Sequence, residues 1–472
     1  MLSNFDYSKT YYKVTNVKEN HHGLQYKDGL NTLLPDETFN GNPSDSCTGN
    51  RIYFTDYENL PKFFDYGVFI RKVKIPLDAN VVKDPSGDKW GTDKIIFLER
   101  YSIKDDFDLW FDKEKYNYNH SWALAKYCHK HFDKWFDKNR FNYEHSWALA
   151  KYCSEHFDRW FDEKKFDYKY GSSNLAKYCS EHFDRWFDKK KYNYEYSSSD
   201  LAVCCSQYFD KWFDKERINY KNSSLGLAEY CSKYFDEWFD KERFDYNYSW
   251  ALAKYCYKHF NKWFDKERYN YEYGSSELAI GYPEHFEIWF DKKKINYKNS
   301  SYELAEYCYE YFDIWFDKNR FNYDYGFALA RYCSKHFDKW FDKEKYNYDH
   351  SWALVIHCSE HFDKWFDREK LDCKNLSYEL AMRYSEHFDK WFDKESFNYE
   401  TASGMLAKHC SKHFYKWFDK QKYDYRDSSP ELAEYCSEYF EEWFDKTLFN
   451  FREGLPYLEN YCDEYKHIWN AI

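Results

Sequence analysis

From residue 107 onward, apolar residues recur at steps of three and four. In the stretch Ser146–Asp162 they are Leu149, Tyr152, Cys153, His156, Phe157, Trp160 and Phe161, the spacing of one helix face. A single helix would satisfy that spacing. Pro283, however, stands where this stretch has Ser154, and proline removes a backbone donor and disfavours a helical residue before it. The pattern therefore predicts two short helices with a break near the position after Cys153. Ser429-Pro430-Glu431 predicts the start of the first helix, with Ser as N-cap, Pro as first helical residue and Glu in the first turn.

The triplet Trp-Phe-Asp begins at Trp110, Trp135, Trp160 and Trp186 and recurs every 25 or 26 residues to Trp443; Trp469 follows 26 later. A half-unit, Phe107–Asp112, thus precedes 14 repeats. Self-similarity at such a period marks stacked repeats, each too small to bury its own apolar face. Units with Ser-Trp-Ala-Leu have 25 residues and most of those with Ser-Ser have 26, which predicts a variable connection between helices of fixed length. Stacking at ordinary helix spacing implies an array on the order of 110–140 Å long. In the last repeat Leu458, Cys462 and Tyr465 are kept, but Lys466 replaces the usual Phe, as a C-terminal cap requires.

Residues 1–105 follow another pattern. Tyr11–Thr15, Ile52–Thr55, Val68–Ile75 and Lys94–Leu98 are β-rich runs separated by Gly, Asn, Asp and Pro, and each predicts a strand. Glu58–Phe64 predicts a short helix. The expected organisation is a small α+β module over 1–105, which also caps the first turn of an all-α solenoid over 106–472.

Composition narrows the function. The chain has 472 residues with 20 Trp, 52 Tyr and 43 Phe, only 14 Gly, and mean hydropathy −1.01; collagen-like and disordered classes are excluded, since disordered chains are poor in aromatics. No apolar run reaches the length of a membrane span, and the start Met1–Asp6 lacks a basic region followed by an apolar core; no membrane partner is expected. Net charge is −12. Residues 1–106 hold 14 basic and 16 acidic residues, leaving the rest with a balance of −10, which disfavours phosphate backbones. The 15 cysteines, without a secretory start, point to reduced thiols in a cytosol-like compartment.

Cysteine recurs once in most repeats, as at Cys128, Cys153 and Cys179, and His often follows three residues on, as at His131, His156 and His336. Such pairs could bind zinc. Yet Tyr208, Tyr234, Tyr311, Tyr439 and Tyr465 fill the His position, and Tyr282 and Tyr384 the Cys position. Positions that accept tyrosine select packing rather than a ligand, so no metal and no cofactor are expected. The Asp of each triplet (Asp137, Asp162, Asp445) fits a turn cap. The Asp two residues before Trp gives way to Asn261, Glu287, Tyr415 and Glu441 and reads as a solvated face offset by Lys134, Arg159 and Lys211. Tyr116, Tyr143, Tyr168 and Tyr194 could stack nucleic-acid bases if exposed, but base-reading positions vary between repeats and these barely do. A copied surface offers no unique catalytic group, so no catalytic residue is expected. The unrepeated polar residues His21, His22, Tyr26, Asp28, Tyr53, Asp56 and Glu58 keep one enzymatic alternative open, in the module.

The run His22-Gly23-Leu24-Gln25-Tyr26-Lys27-Asp28-Gly29-Leu30, then Ile52-Tyr53-Phe54-Thr55-Asp56 and Phe64-Asp65-Tyr66-Gly67, resembles the N-terminal module of giant-virus (mimivirus-like) repeat proteins. In that family the module often precedes ankyrin arrays, and in some members short aromatic repeats. These repeats depart from ankyrin in period and lack the Thr-Pro-Leu-His turn. The resemblance implies a viral origin and no site residue, since the family lacks an established activity. The expected function is a non-enzymatic scaffold for protein–protein interaction with host or viral proteins, in the host cell cytoplasm. The alternatives are a structural component of the virion and an enzymatic module.

Overall fold

Alternating burial along Tyr11–Thr15, with Tyr11, Lys13 and Thr15 inward, makes the first strand, β1, of the N-terminal module. The computed structural model describes residues 5–21 and 23–470; Met1–Asn4, which include most of the start read above, lie outside the described residues. Eight further strands follow: β2 (Asn20–His21), β3 (Leu24–Gln25), β4 (Gly29–Thr32), β5 (Ile52–Phe54), β6 (Phe69–Lys74), β7 (Val81–Lys83), β8 (Trp90–Thr92) and β9 (Lys94–Ser102). The four expected strands are β1, β5, β6 and β9. The other five have two to four residues, too few alternations to stand out in sequence. The expected helix is a 3-10 helix, Leu60–Tyr66, with Pro61 in its first turn.

All pairings are antiparallel, with order β1-β6-β9-β4 in one sheet and β5-β8-β7 in another. Tyr12 and Thr55 exchange backbone hydrogen bonds of 2.8 Å and join β1 to the β5 side. Tyr11, Phe54, Trp90, Ile95 and Phe97 pack between the sheets. Gly67 is required here, because a Cβ would lie 2.1 Å from the Thr15 carbonyl oxygen.

The chain divides into two compact units, 1–245 and 246–472, and the same repeat builds the rest of both. In the first, Tyr168–Tyr178 is an α-helix; Cys179 leaves helical geometry at φ −128°, ψ 27°; Ser180–His182 makes a 3-10 turn and Phe183–Trp186 one α-turn. The break expected after the cysteine falls on the cysteine itself. The second unit repeats this at Tyr297–Tyr307, Cys308, Tyr309–Tyr311 and Phe312–Trp315. Pro283 is tolerated because it opens the 3-10 turn, where its missing N–H is not needed.

Two expectations are corrected. The extra residue of the 26-residue repeats is not in a free connection. Tyr143–His145 is a 3-10 turn leading into the α-helix Ser146–Tyr152, ten residues in all, whereas Tyr168–Tyr178 is one α-helix of 11. In most of these longer repeats the insertion changes 3-10 winding to α, whereas the one between Trp365 and Trp391 keeps turns before the helix Ser377–Arg383. Ser429 is also not an N-cap. The helix begins after Asp424, whose side chain accepts the Arg426 N–H, and the backbone kinks at Ser428. Ser429 is buried, donates to the Tyr425 carbonyl and accepts the Asn450 N–H of the next repeat at 3.0 Å.

Candidate functional site

The repeats assign a tertiary partner to each recurring polar group. Trp160 is fully buried and its Nε1 donates to the Cys153 carbonyl at 2.8 Å; Trp315 does the same to Cys308. The tyrosine of each Phe-Asn-Tyr segment donates to the next tryptophan's carbonyl, Tyr143 to Trp160 at 2.9 Å and Tyr168 to Trp186 at 2.6 Å. Tyr143, Tyr168 and Tyr194 are therefore core residues, as is Tyr116, whose hydroxyl donates to His120. Their faces are not open to bases, so the stacking role considered for them is overturned.

Cys179 Sγ faces the Ala150 carbonyl of the preceding repeat at 3.7 Å. Where tyrosine replaces the cysteine, its hydroxyl reaches the same station: Tyr282 donates to Ala253 at 2.8 Å and Tyr384 to Val355 at 2.7 Å. That shared acceptor explains why so dissimilar residues interchange. Burial pushes the Cys179 and Cys205 thiols up to about 12, so they stay protonated and inert. The position three residues on packs flat against the previous repeat's phenylalanine, whether His156 on Phe132 (4.2 Å between ring centres) or Tyr208 on Phe183 (4.4 Å).

Most charges stay at the surface, although Glu303 and Glu431 each bury one carboxylate oxygen. Asp162 accepts the Lys164 N–H at 3.1 Å as a turn cap and pairs with Lys138 at 3.2 Å. The outer Asp column pairs with the following repeat: Asp133 with Arg159, and Asp313 with Lys339 at 2.5 Å. Solvent-facing tyrosines recur on the longer helix of the 26-residue repeats. Tyr170, Tyr196 and Tyr273 are 62–70% exposed, and Tyr178, Tyr230 and Tyr307 are 42–45% exposed.

The module ends in groups that imitate a repeat. Tyr57 donates to the Trp110 carbonyl at 3.2 Å and Trp110 Nε1 donates to Ile103 at 3.0 Å, a carbonyl that also faces Cys128 Sγ at 3.7 Å. Phe64 meets Trp110 edge-on at 5.4 Å.

Inside the module lies a cavity of about 340 Å³ walled by β1, the β2–β3 hairpin, β5 and the loop before it. Of the seven unrepeated polar residues, His21, Tyr26 and Tyr53 line it. Asp28 instead pairs with Arg71 at 2.7 Å, Asp56 accepts the Asn59 N–H as a turn cap, Glu58 is exposed, and His22 lies outside the described residues. The sequence reading missed Lys13 and Arg51, which line the cavity while only 8% and 6% exposed. Lys13 was legible: the Tyr11-x-Lys13-x-Thr15 alternation places it on the buried strand face. Its Nζ donates to the Tyr53 carbonyl at 2.8 Å and lies 5.1 Å from the centre of the Tyr26 ring. Desolvation lowers its amine to about 8. Arg51 came from a loop with no period to betray it. Its guanidinium donates to the carbonyls of Asn40, Asn42 and Asp45. Among the described residues, no group of three or more His, Cys, Asp or Glu side chains is placed to hold a metal, and no helix is long and apolar enough to cross a membrane.

These features define a helical-repeat protein headed by a small sheet-containing module. No family model matches the chain. Over its N-terminal ~100 residues it is similar to proteins of Acanthamoeba polyphaga mimivirus. It is 43% identical over 101 residues to a putative ankyrin repeat protein, covering 21% of this chain and 49% of that one. It is 38% identical over 104 residues to an uncharacterised protein (22% and 73%), and 36% over 103 residues to a second putative ankyrin repeat protein (21% and 30%). The matched stretch thus spans about half the length of the first relative and less than a third of the third. The chain belongs to the giant-virus family represented by that uncharacterised mimivirus protein. What it shares with these relatives is the module.

Proposed function

We propose that the protein is a non-enzymatic scaffold that binds host or viral protein partners through the repeats, in the cytoplasm of the infected cell. The module over 1–105 heads an interaction array over 106–472, whose last repeat closes its far end with Lys466. The observation that carries this reading is the solvent-facing tyrosine column. Stacking accounts for the buried rings of the repeat, whereas Tyr170, Tyr178 and Tyr196 present theirs to solvent. Tyrosine gives large contact area at low entropic cost and is enriched in interface cores. Set in a surface of net −10, such rings suit lysines and arginines, which meet both carboxylates and aromatic faces. The putative ankyrin repeat relatives are named for repeats of another kind, which supports a common plan of module plus repeat array.

The test compares the full chain with a variant carrying serine at Tyr170, Tyr178, Tyr196 and Tyr230, in affinity capture from infected cells followed by mass spectrometry. We expect wild-type and variant to melt alike, with the variant losing its basic partners. Equal capture by both, or capture only of further copies of this chain, would overturn the reading, the latter in favour of a structural virion component.

A further inference from the structure

A buried charge is expensive unless a counter-charge or several hydrogen bonds replace its water. The module obeys this rule for four of the five charged residues it buries. Arg71 pairs with Glu19 and Asp28, and Asp84 with Lys89 at 3.4 Å. Arg51 satisfies it by donating to the carbonyls of Asn40, Asn42 and Asp45, which leaves Lys13 as the exception. Among the described residues neither of these two cations has a carboxylate partner, and both line one cavity. We propose that this cavity binds a small organic anion, a carboxylate or phosphate on a flat apolar body, with Lys13 holding the anionic group.

The Lys13 ammonium has three N–H groups, of which the Tyr53 carbonyl takes one. The Tyr26 face softens the charge without cancelling it. Arg51 spends its donors on three backbone carbonyls, so it holds the loop wall rigid and adds positive potential. Glu37 is the lining carboxylate, but it accepts the Leu34 N–H at 3.0 Å and pairs with neither cation. Leu24, Leu33, Ile52 and Phe54 line the remainder with apolar surface. The volume falls in the range of small-molecule sites, where few polar groups fix orientation within apolar walls. An anion beside Lys13 would restore the counter-charge that the fold withholds. This site is independent of the scaffold reading, which concerns the repeats.

The probe is 8-anilinonaphthalene-1-sulfonate, a fluorescent aromatic anion, titrated into the full chain. Lys13→Met should weaken its module-dependent binding at least tenfold, while Lys74→Met, at an exposed lysine of the same sheet, leaves it unchanged. Benzoate or phenyl phosphate should displace the probe and the neutral benzyl alcohol should not; whichever acid competes better identifies the anionic group. Undiminished binding by a folded Lys13→Met protein, or equal displacement by benzyl alcohol, overturns the proposal. Should that variant fail to fold, the wild type decides by mass-mapped trace acetylation. Saturating benzoate or phenyl phosphate should slow acetylation of Lys13 at least fivefold relative to Lys74, and no protection by either rejects the site.

Discussion

The module and the repeats bury their polar groups in different ways. Among the described residues, every buried charged side chain (Lys13, Glu19, Arg51, Arg71 and Asp84) belongs to the module. The repeats bury serine hydroxyls, thiols, phenols and indoles, nearly all answered by a carbonyl or N–H of the same or an adjacent repeat (Ser223 Oγ is not), and keep most charges outside, with one carboxylate oxygen each of Glu303 and Glu431 buried without a hydrogen-bond partner. A copied unit must solve each burial once for all copies, so it favours neutral groups whose partners recur by translation. A unique module is free to hold unpaired charge at one place, and it does so around a cavity.

Breaking the copied core should have the largest effect. Leu227 is fully buried, and Leu227→Asp puts an unpaired charge there, at a cost of about 4–5 kcal/mol or more. Hydrogen exchange should rise first in the repeats flanking Trp212 and Trp238 and leave the repeats beyond Trp315 protected; uniform loss of protection along the chain would contradict nearest-neighbour stacking. Arg71→Ala removes one member of a buried pair in which the Arg71 side chain is 7% exposed, costing about 3 kcal/mol or more. Its exchange defect should be confined to the module, and spread into the repeats would mean the two regions unfold together.

Alkaline pH should move the two regions in opposite directions. The Lys13 amine lies at about 8 in the folded protein against 10.5 ordinarily, so between these values the unfolded chain binds more protons and stability rises with pH. Relief of up to about 2 kcal/mol is expected in the module by pH 9.5. The groups facing Lys13 there are Tyr26, Glu37, His21, Lys89 and Arg51, and Lys13→Met should remove the rise. The ladder thiols have the reverse sign. Raised from 9.0 to about 12, they contribute fully below pH 9 and less as pH climbs toward 12. Limited proteolysis mapped by mass spectrometry at pH 8 and 9.5 should find the module harder to cut and the repeats easier; a common direction would refute the contrast. The smallest effect is expected from Tyr282→Phe, which leaves the Ala253 carbonyl without its 2.8 Å donor and should cost about 1–2 kcal/mol in denaturant unfolding. A Tyr282→Cys variant should recover part of it, because cysteine serves that carbonyl elsewhere.

Much of the architecture was legible beforehand because period and break are local properties. The steps of Leu149, Tyr152, Cys153 and Phe157 define the helix face, Pro283 reveals the break, and β1, β5, β6 and β9 are long or β-rich enough to read. Tyr143 and Tyr168 misled because tyrosine suits surface and core alike, and only the tryptophan carbonyl 17 or 18 residues on settles which. Ser429 misled because a serine beside a helix start is an ordinary cap signal, whereas its partner lies 21 residues away in the next repeat.

By itself, then, the sequence determined the repeat period, the buried leucine, cysteine, phenylalanine and tryptophan columns and the change from strands to helices near residue 105, all of which follow from spacing along one chain. Tertiary structure alone decided which group answers which. The serine, cysteine and tyrosine partners lie 17 to 29 residues apart, a separation fixed by how one repeat stacks on the next. The meeting of Lys13 with Arg51 was likewise decided in space, since strand β1 and the loop before β5 share no pattern and converge only when the sheets close over the cavity.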